Sequence, residues 1–272
     1  MAAEETSGTI DVGGRTLAWR GLGAGPPLLL INGYAATAAD WDPTFLAALA
    51  ERFEVVCPDN RGVGGSDLGD PDALTVAGMA ADAVALLDAL GHERATVAGW
   101  SMGGFVAQRL ALDAPERVGA LALLSTDPGH GRAVLADAEV WRRLTDDSGS
   151  PREQATRLIG LLFPPELAAR IDALFGDVVA AARAALPAAT LRAQEAAMTA
   201  WQGATAEPLP QPPPRVLAAC GDADVVIPPA NLERLAERWP GTRTELFAGG
   251  GHAFMAQEPA RLAALIAGFA AG

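Results

Sequence analysis

Ala95-Thr-Val-Ala-Gly99-Trp100-Ser101-Met102-Gly103-Gly104 is the stretch on which the reading of this chain turns. Ala95–Gly99 is a short apolar run of the kind that forms a buried parallel strand. Met102–Asp113 has the spacing of a helix. Between them stands Gly-x-Ser-x-Gly, the pattern of a serine held on a tight strand-to-helix turn. Such a turn lifts the hydroxyl clear of the sheet. Glycines two before and two after remove the Cβ atoms that would collide there. The amide of Met102 opens the helix and is free to point at a developing negative oxygen. The bare string occurs by chance in Gly- and Ala-rich chains; its position after a strand and before a helix makes it specific.

The alternation extends outward in both directions. Thr9–Val12 and Thr16–Arg20 flank Gly13-Gly14 and read as a hairpin. Strands are expected at Pro27–Ile31, Glu54–Cys57, Gly119–Ser125, Arg215–Cys220 and Thr242–Phe247. Helices are expected at Pro43–Arg52, Thr75–Gly91, Pro229–Trp239 and Pro259–Ala270. Strand and helix in turn imply an α/β fold with a mostly parallel sheet and helices on both faces. From about residue 128 to 207 nothing resembles a strand. Ala, Leu and Arg recur at helical spacing, and Ser150-Pro-Arg-Glu153 is a capping-box sequence. The chain thus divides into a core, 1–127 and 208–272, and a helical insertion, 128–207. Pro208–Pro214 is a stiff connector back to the core.

A serine needs a base. The chain has three histidines. His92 follows Gly91 at the end of a helix, and His130 sits in Asp127-Pro-Gly-His-Gly131 where the insertion begins. His252, in Gly249-Gly-Gly-His-Ala253, lies on a loop between a strand and the last helix and is the choice for the base. The base needs a carboxylate to fix its tautomer. Asp224, in Gly221-Asp-Ala-Asp-Val-Val-Ile-Pro228, is preferred, Asp222 reads as a turn former, and Asp127 is the competing acid. The order Ser101, Asp224, His252 suits this arrangement.

On these motifs, together with Asp59-Asn-Arg-Gly-Val-Gly-Gly-Ser-Asp67, the chain resembles the α/β-hydrolase superfamily in its capped esterase, lactonase and haloperoxidase-like branch. The resemblance spans nearly the whole length. It implies an eight-stranded, mostly parallel sheet with the helical cap inserted after the sixth strand. It implies the Tyr34 amide as a second oxyanion donor beside Met102, and a 59–67 loop that packs behind the site without a catalytic atom. Asn32-Gly33 stands where relatives usually carry His-Gly. Haloalkane dehalogenases and epoxide hydrolases resemble this fold but need Asp where Ser101 stands.

The resemblance places residues 128–207 over the serine. Trp141, Leu158, Leu162, Phe163, Phe175, Met198 and Trp201 are the lining candidates, with Trp100 and Met102 flanking the serine. Of these, Trp100, Trp141, Leu162, Phe163 and Trp201 are chosen as substrate-binding. No basic cluster stands out there, so an apolar pocket for a hydrophobic or neutral ester or lactone is expected. The same triad would also serve perhydrolysis or cofactor-free haloperoxidase chemistry, acyl transfer or C–C hydrolysis. A non-catalytic binding protein on this fold is the reading from another class.

Composition excludes more than it assigns. The net charge is −13 and all 20 basic residues are Arg. A Schiff-base or phosphate-cradling lysine is therefore impossible, and an acidic surface disfavours nucleic acid. No apolar run reaches membrane-spanning length. The N-terminus, Met1-Ala-Ala-Glu-Glu-Thr-Ser-Gly8, is polar and unlike a secretory signal. A cytoplasmic enzyme with a small-molecule substrate and no metal or cofactor is expected; self-association is left open. Cys57 and Cys220 read as buried free thiols, with a disulfide between neighbouring strands as the alternative.

Overall fold

The computed structural model describes residues 5–272, so the first half of the polar N-terminal segment lies outside the described residues. Eight strands form one sheet: β1 (Glu5–Asp11), β2 (Thr16–Leu22), β3 (Pro27–Ile31), β4 (Glu54–Pro58), β5 (Ala95–Trp100), β6 (Val118–Leu124), β7 (Val216–Gly221) and β8 (Arg243–Phe247). Their order is β1-β2-β4-β3-β5-β6-β7-β8. The β1–β2 and β2–β4 pairs are antiparallel and the rest are parallel. Gly13 and Gly14 turn the opening hairpin with φ of 61° and 81°, the left-handed geometry that matches strand twist. The first strand runs longer than Thr9–Val12, because all of Glu5–Asp11 finds partners on β2.

Helices α1 (Pro43–Ala50), α2 (Val76–Ala89), α3 (Met102–Asp113), α8 (Asn231–Arg238) and α9 (Pro259–Ala271) cover the sheet. Successive strand residues face opposite sides, and the two cores follow that alternation. Leu29, Ile31, Val97, Leu121 and Leu123 pack with α2 and α3. Leu28, Leu30, Ala98, Ala122 and Leu124 pack with α1 and α9.

Between β6 and β7 lie four helices, α4 (Ala138–Thr145), α5 (Pro151–Leu162), α6 (Pro165–Ala184) and α7 (Ala188–Gly203). Ser150 and Glu153 form the expected capping box at α5. Helix α7 belongs to the core as much as to the insertion: Ala193, Ala197, Met198 and Trp201 join the α2–α3 cluster. Thr190 Oγ1 donates to the Gly62 carbonyl at 3.0 Å, and Gln194 Nε2 to the Arg61 carbonyl at 3.2 Å. Pro208–Pro214 carries no helix or strand.

Both cysteines are free and buried. Cys57 is on β4 and Cys220 on β7, with β3, β5 and β6 between them. That separation, roughly 19 Å at about 4.8 Å per strand, exceeds any disulfide's reach. Burial pushes both thiols up to about 12.

The turn from β5 into α3 presses directly onto its neighbours. A Cβ on Gly99 would lie 2.2 Å from the Gly103 carbonyl oxygen, and one on Gly103 would lie 2.2 Å from that of Ile31. Backbone cannot yield as a flexible side chain does. Gly99→Ala is expected to destabilise the fold by about 2–5 kcal/mol. Gly268→Ala, in α9 with open space around it, is expected to gain about 0.5–1 kcal/mol through helix propensity. Urea unfolding of the two variants checks the opposite signs; equal small effects would contradict the packing.

Candidate active site

Ser101 sits at the junction of β5 and α3 with φ 55° and ψ −122°. Positive φ is costly for a residue with a side chain, and here several bonds hold it. The Ser101 amide donates to the Leu124 carbonyl at 3.0 Å, and the Ser101 carbonyl accepts from the Gly104 amide at 2.8 Å. Thr126 Oγ1 donates to that same carbonyl at 2.8 Å.

His252 is on the loop between β8 and α9, almost fully buried. Its Nδ1 lies 2.9 Å from Asp224 Oδ2 and 3.1 Å from Oδ1. Asp224 follows β7, and its Oδ1 also accepts from the amides of Val226 and Ile227, both at 2.9 Å. A carboxylate so placed holds the proton on Nδ1 and leaves Nε2 free to accept. Trp100 Nε1 donates to the His252 carbonyl at 2.9 Å, and the Ala253 amide donates to the Leu162 carbonyl at 3.0 Å. The imidazole loop is therefore pinned by the elbow strand on one side and by α5 on the other.

Ser101 and His252 line one cavity of about 1000 Å³. Its walls include Trp100, Trp141, Leu162 and Phe163 as expected, along with Leu158, Phe175 and Met198. Trp201 does not line it. The ring stacks on Phe105 at 5.6 Å and packs against His130 at 4.3 Å, so it holds α7 on the core. The Met102 side chain is likewise fully buried and does not line the cavity. Among the described residues neither the Met102 amide nor the Tyr34 amide donates to a protein acceptor.

Asn32 explains how the loop after β3 is shaped without the usual histidine. Its Oδ1 accepts from the Gly33 amide at 2.8 Å and its Nδ2 donates to the Thr37 carbonyl at 2.7 Å. Asn60 braces it from behind, donating to the Asn32 carbonyl at 2.9 Å. Asp59 accepts from the amides of Ala38 and Gly65, and Arg61 pairs with Asp82. The polar groups of the 59–67 loop are spent on such ties. The Tyr34 hydroxyl donates to Glu195 Oε1 at 2.5 Å, and burial together with that bond raises its pKa.

The other histidines lie elsewhere. His92 Nε2 is 3.4 Å from Glu54 at the end of α2, and the His130 ring nitrogens are buried against Trp201 with no partner among the described residues. Asp127, the competing acid, lines the cavity but binds Gln202 Nε2 at 2.8 Å and the Gly129 amide at 2.8 Å rather than a histidine. Arg183 on α6 also lines the cavity, a residue the sequence reading passed over.

A family model described as alpha/beta hydrolase fold matches residues 26–259. The chain belongs to the α/β-hydrolase family. "Putative carbamate hydrolase RutD" of Azorhizobium caulinodans is 35% identical over 254 residues, covering 91% of this chain and 92% of that protein. A hydrolase from Pseudomonas aeruginosa PA01 superposes with a TM-score of 0.81 at 28% identity, over 98% of this chain and 99% of the other. 2-Hydroxy-6-oxo-6-phenylhexa-2,4-dienoate hydrolase of Rhodococcus sp. strain RHA1 superposes with a TM-score of 0.84, over 99% of this chain and 100% of the other, and at 21% identity shares the fold. Among the described residues of this α/β-hydrolase, no single helix is long and apolar enough to cross a membrane.

Burial pushes the Asp127 carboxyl up to about 6, against the bonds from Gly129 and Gln202 that lower it. The native state therefore keeps its proton where the unfolded chain, at about 3.8, has released it. Stability from this group is fully present below the unfolded value and is lost as pH rises through about 6, by roughly 3 kcal/mol at 1.36 kcal/mol per unit. Asp127→Asn is expected to gain stability relative to the parent between pH 4 and 7. Urea midpoints at the two ends of that range test it; a constant difference would refute the assignment.

Proposed function

We propose that this α/β-hydrolase is a serine hydrolase that cleaves a carboxylic ester or lactone of a small, largely apolar molecule through an acyl-enzyme. The observation that carries the reading is the His252–Asp224 couple opening onto the same cavity as Ser101 on its strained turn. Ser101 Oγ attacks the carbonyl carbon while His252 Nε2 takes the proton. Asp224 stabilises the imidazolium without accepting that proton. The amides of Tyr34 and Met102 receive the oxyanion, each worth about 3 kcal/mol at the barrier. The tetrahedral intermediate collapses, His252 protonates the leaving alkoxide, and a water activated by the same imidazole releases the acid.

The helices of 128–207 act as a cap in this reading. Their apolar side chains exclude bulk water from the acyl-enzyme and select the substrate by shape. A carbamate is a second substrate class, favoured by the 35% identity to RutD. Its carbonyl would meet the same nucleophile and the same two amides.

Ser101→Ala is expected to lower turnover of an activated short-chain ester by about four to six orders of magnitude and to abolish labelling by a fluorophosphonate. Retention of most activity, with the protein folded, would exclude Ser101 as nucleophile. A panel of esters, lactones and carbamates of graded acyl size ranks the substrate classes.

A further inference from the structure

Five charged or titratable residues besides the tyrosine line the cavity: Asp40, Asp42, Asp127, Arg183 and His252. Four of them have their partners. Asp40 accepts from the amide and hydroxyl of Thr37. Asp42 caps α1 through the Phe45 amide. Asp127 is held by Gln202 and Gly129, and His252 by Asp224.

Arg183 differs. It is 9% exposed, and its Nε is buried with no partner. Among the described residues its guanidinium makes no hydrogen bond and no ion pair; Nε is wholly shielded, and the two terminal nitrogens keep exposure to the cavity that Arg183 lines. Glu195, across on α7, has its carboxylate engaged by the Tyr34 hydroxyl at 2.5 Å. An arginine cannot shed its proton to relieve burial, and Glu195, which keeps its charge while accepting from Tyr34, forms no ion pair with it. The hydrogen-bonding fork of Arg183 is thus left open to whatever enters the cavity.

We propose that Arg183 receives a carboxylate carried by the substrate, at a distance from the bond that Ser101 attacks. The planar guanidinium fork matches a carboxylate with two parallel hydrogen bonds. The wall around it is apolar, with Val179, Ala182, Leu186 and Met198 lining the same cavity, which suits a hydrocarbon spacer. Tyr34, whose amide is the proposed oxyanion donor, lines the same cavity as Arg183. The substrate class is therefore an acyl compound with a terminal carboxylate, such as a monoester of a dicarboxylic acid. The cleaved bond rests on the serine-hydrolase reading above; the anion site does not.

The test separates the two. In the Ser101→Ala protein, which leaves esters intact, calorimetric titration with monomethyl adipate and with methyl hexanoate reads the distal anion site, because the two ligands share the ester end and differ only in the terminal carboxylate. Monomethyl adipate is expected to bind at least tenfold tighter, and Arg183→Met in that background to bring the two ligands level, with Arg183→Lys between. Equal binding of both ligands to the Ser101→Ala protein, or a preference that survives Arg183→Met, would overturn the proposal. Arg183→Met replaces a buried charge by an apolar chain of similar length, so its fold is preserved, and circular dichroism verifies this. In the Ser101-intact protein, the ratio of kcat/KM for the nitrophenyl monoester of adipate over nitrophenyl hexanoate should exceed ten and fall to about one in Arg183→Met, mainly through KM. Arg183-dependent binding without turnover of either ester would remove the hydrolase reading and keep the anion site. Turnover with a ratio that Arg183→Met leaves unchanged would do the reverse.

Discussion

The site depends on two places where backbone meets backbone with no room for a side chain. A Cβ on Gly99 would strike the Gly103 carbonyl, and one on Gly221 would lie 2.1 Å from the Gly250 carbonyl. The first contact folds β5 onto α3 so sharply that Ser101 is driven to φ 55°. The second brings the end of β7, which leads to Asp224, against the loop that carries His252. Neither is a hydrogen bond or an ion pair. Both are steric permissions that only glycine grants, and the residues that could do chemistry are placed by them.

Around those contacts the polar groups are arranged to freeze rather than to shift. Asp224 receives two loop amides as well as the imidazole, so its carboxylate is oriented before any substrate arrives. The His252 carbonyl is held by Trp100 and the next amide by Leu162. Pre-set dipoles need no reorganisation in the transition state, which is where electrostatic catalysis gains most. The 59–67 loop extends the same logic one layer out, through Asn60 to Asn32 and from there to the loop that carries Tyr34.

Much of this was legible in the sequence for local reasons. Gly-x-Ser-x-Gly between a strand and a helix is a nearest-neighbour signal, and so are the Gly13-Gly14 hairpin and the Ser150–Glu153 box. The choice of Ser101, Asp224 and His252 rests on chain order and the scarcity of histidine, and the structure sets His252 against Asp224 and in one cavity with Ser101. The failures concern packing at long range. Trp201 has the spacing of a cap residue, yet Phe105 and His130 claim its ring. Arg183 lies in Ala-Ala-Arg-Ala-Ala, where one more arginine among 20 attracts no notice. Its signal was its phase: Val179 and Leu186 stand four before and three after it, so the charge falls on the apolar face of α6. Whether such a charge is neutralised depends on what α7 presents opposite, and sequence spacing does not encode that.

The insertion is attached to the core unevenly, and this bears on how catalysis and recognition are joined. Helix α7 is fastened by Thr190 and Gln194 to the 59–67 loop and by Gln194 Oε1 to the Ala35 amide at 2.9 Å. Helices α5 and α6 pack chiefly on each other, tied by Arg152 to Asp172 at 2.6 Å. Their bond to the core runs through the Leu162 carbonyl to the residue after His252. The wall that carries Arg183 and the loop that carries the imidazole therefore share a mechanical link. On the two proposals above, a substrate that spans from α6 to Ser101 would press on both ends of that link and couple binding at α6 to the alignment of His252. An apolar cavity alone offers no such leverage; a fixed charge at one end and the proposed nucleophile at the other would.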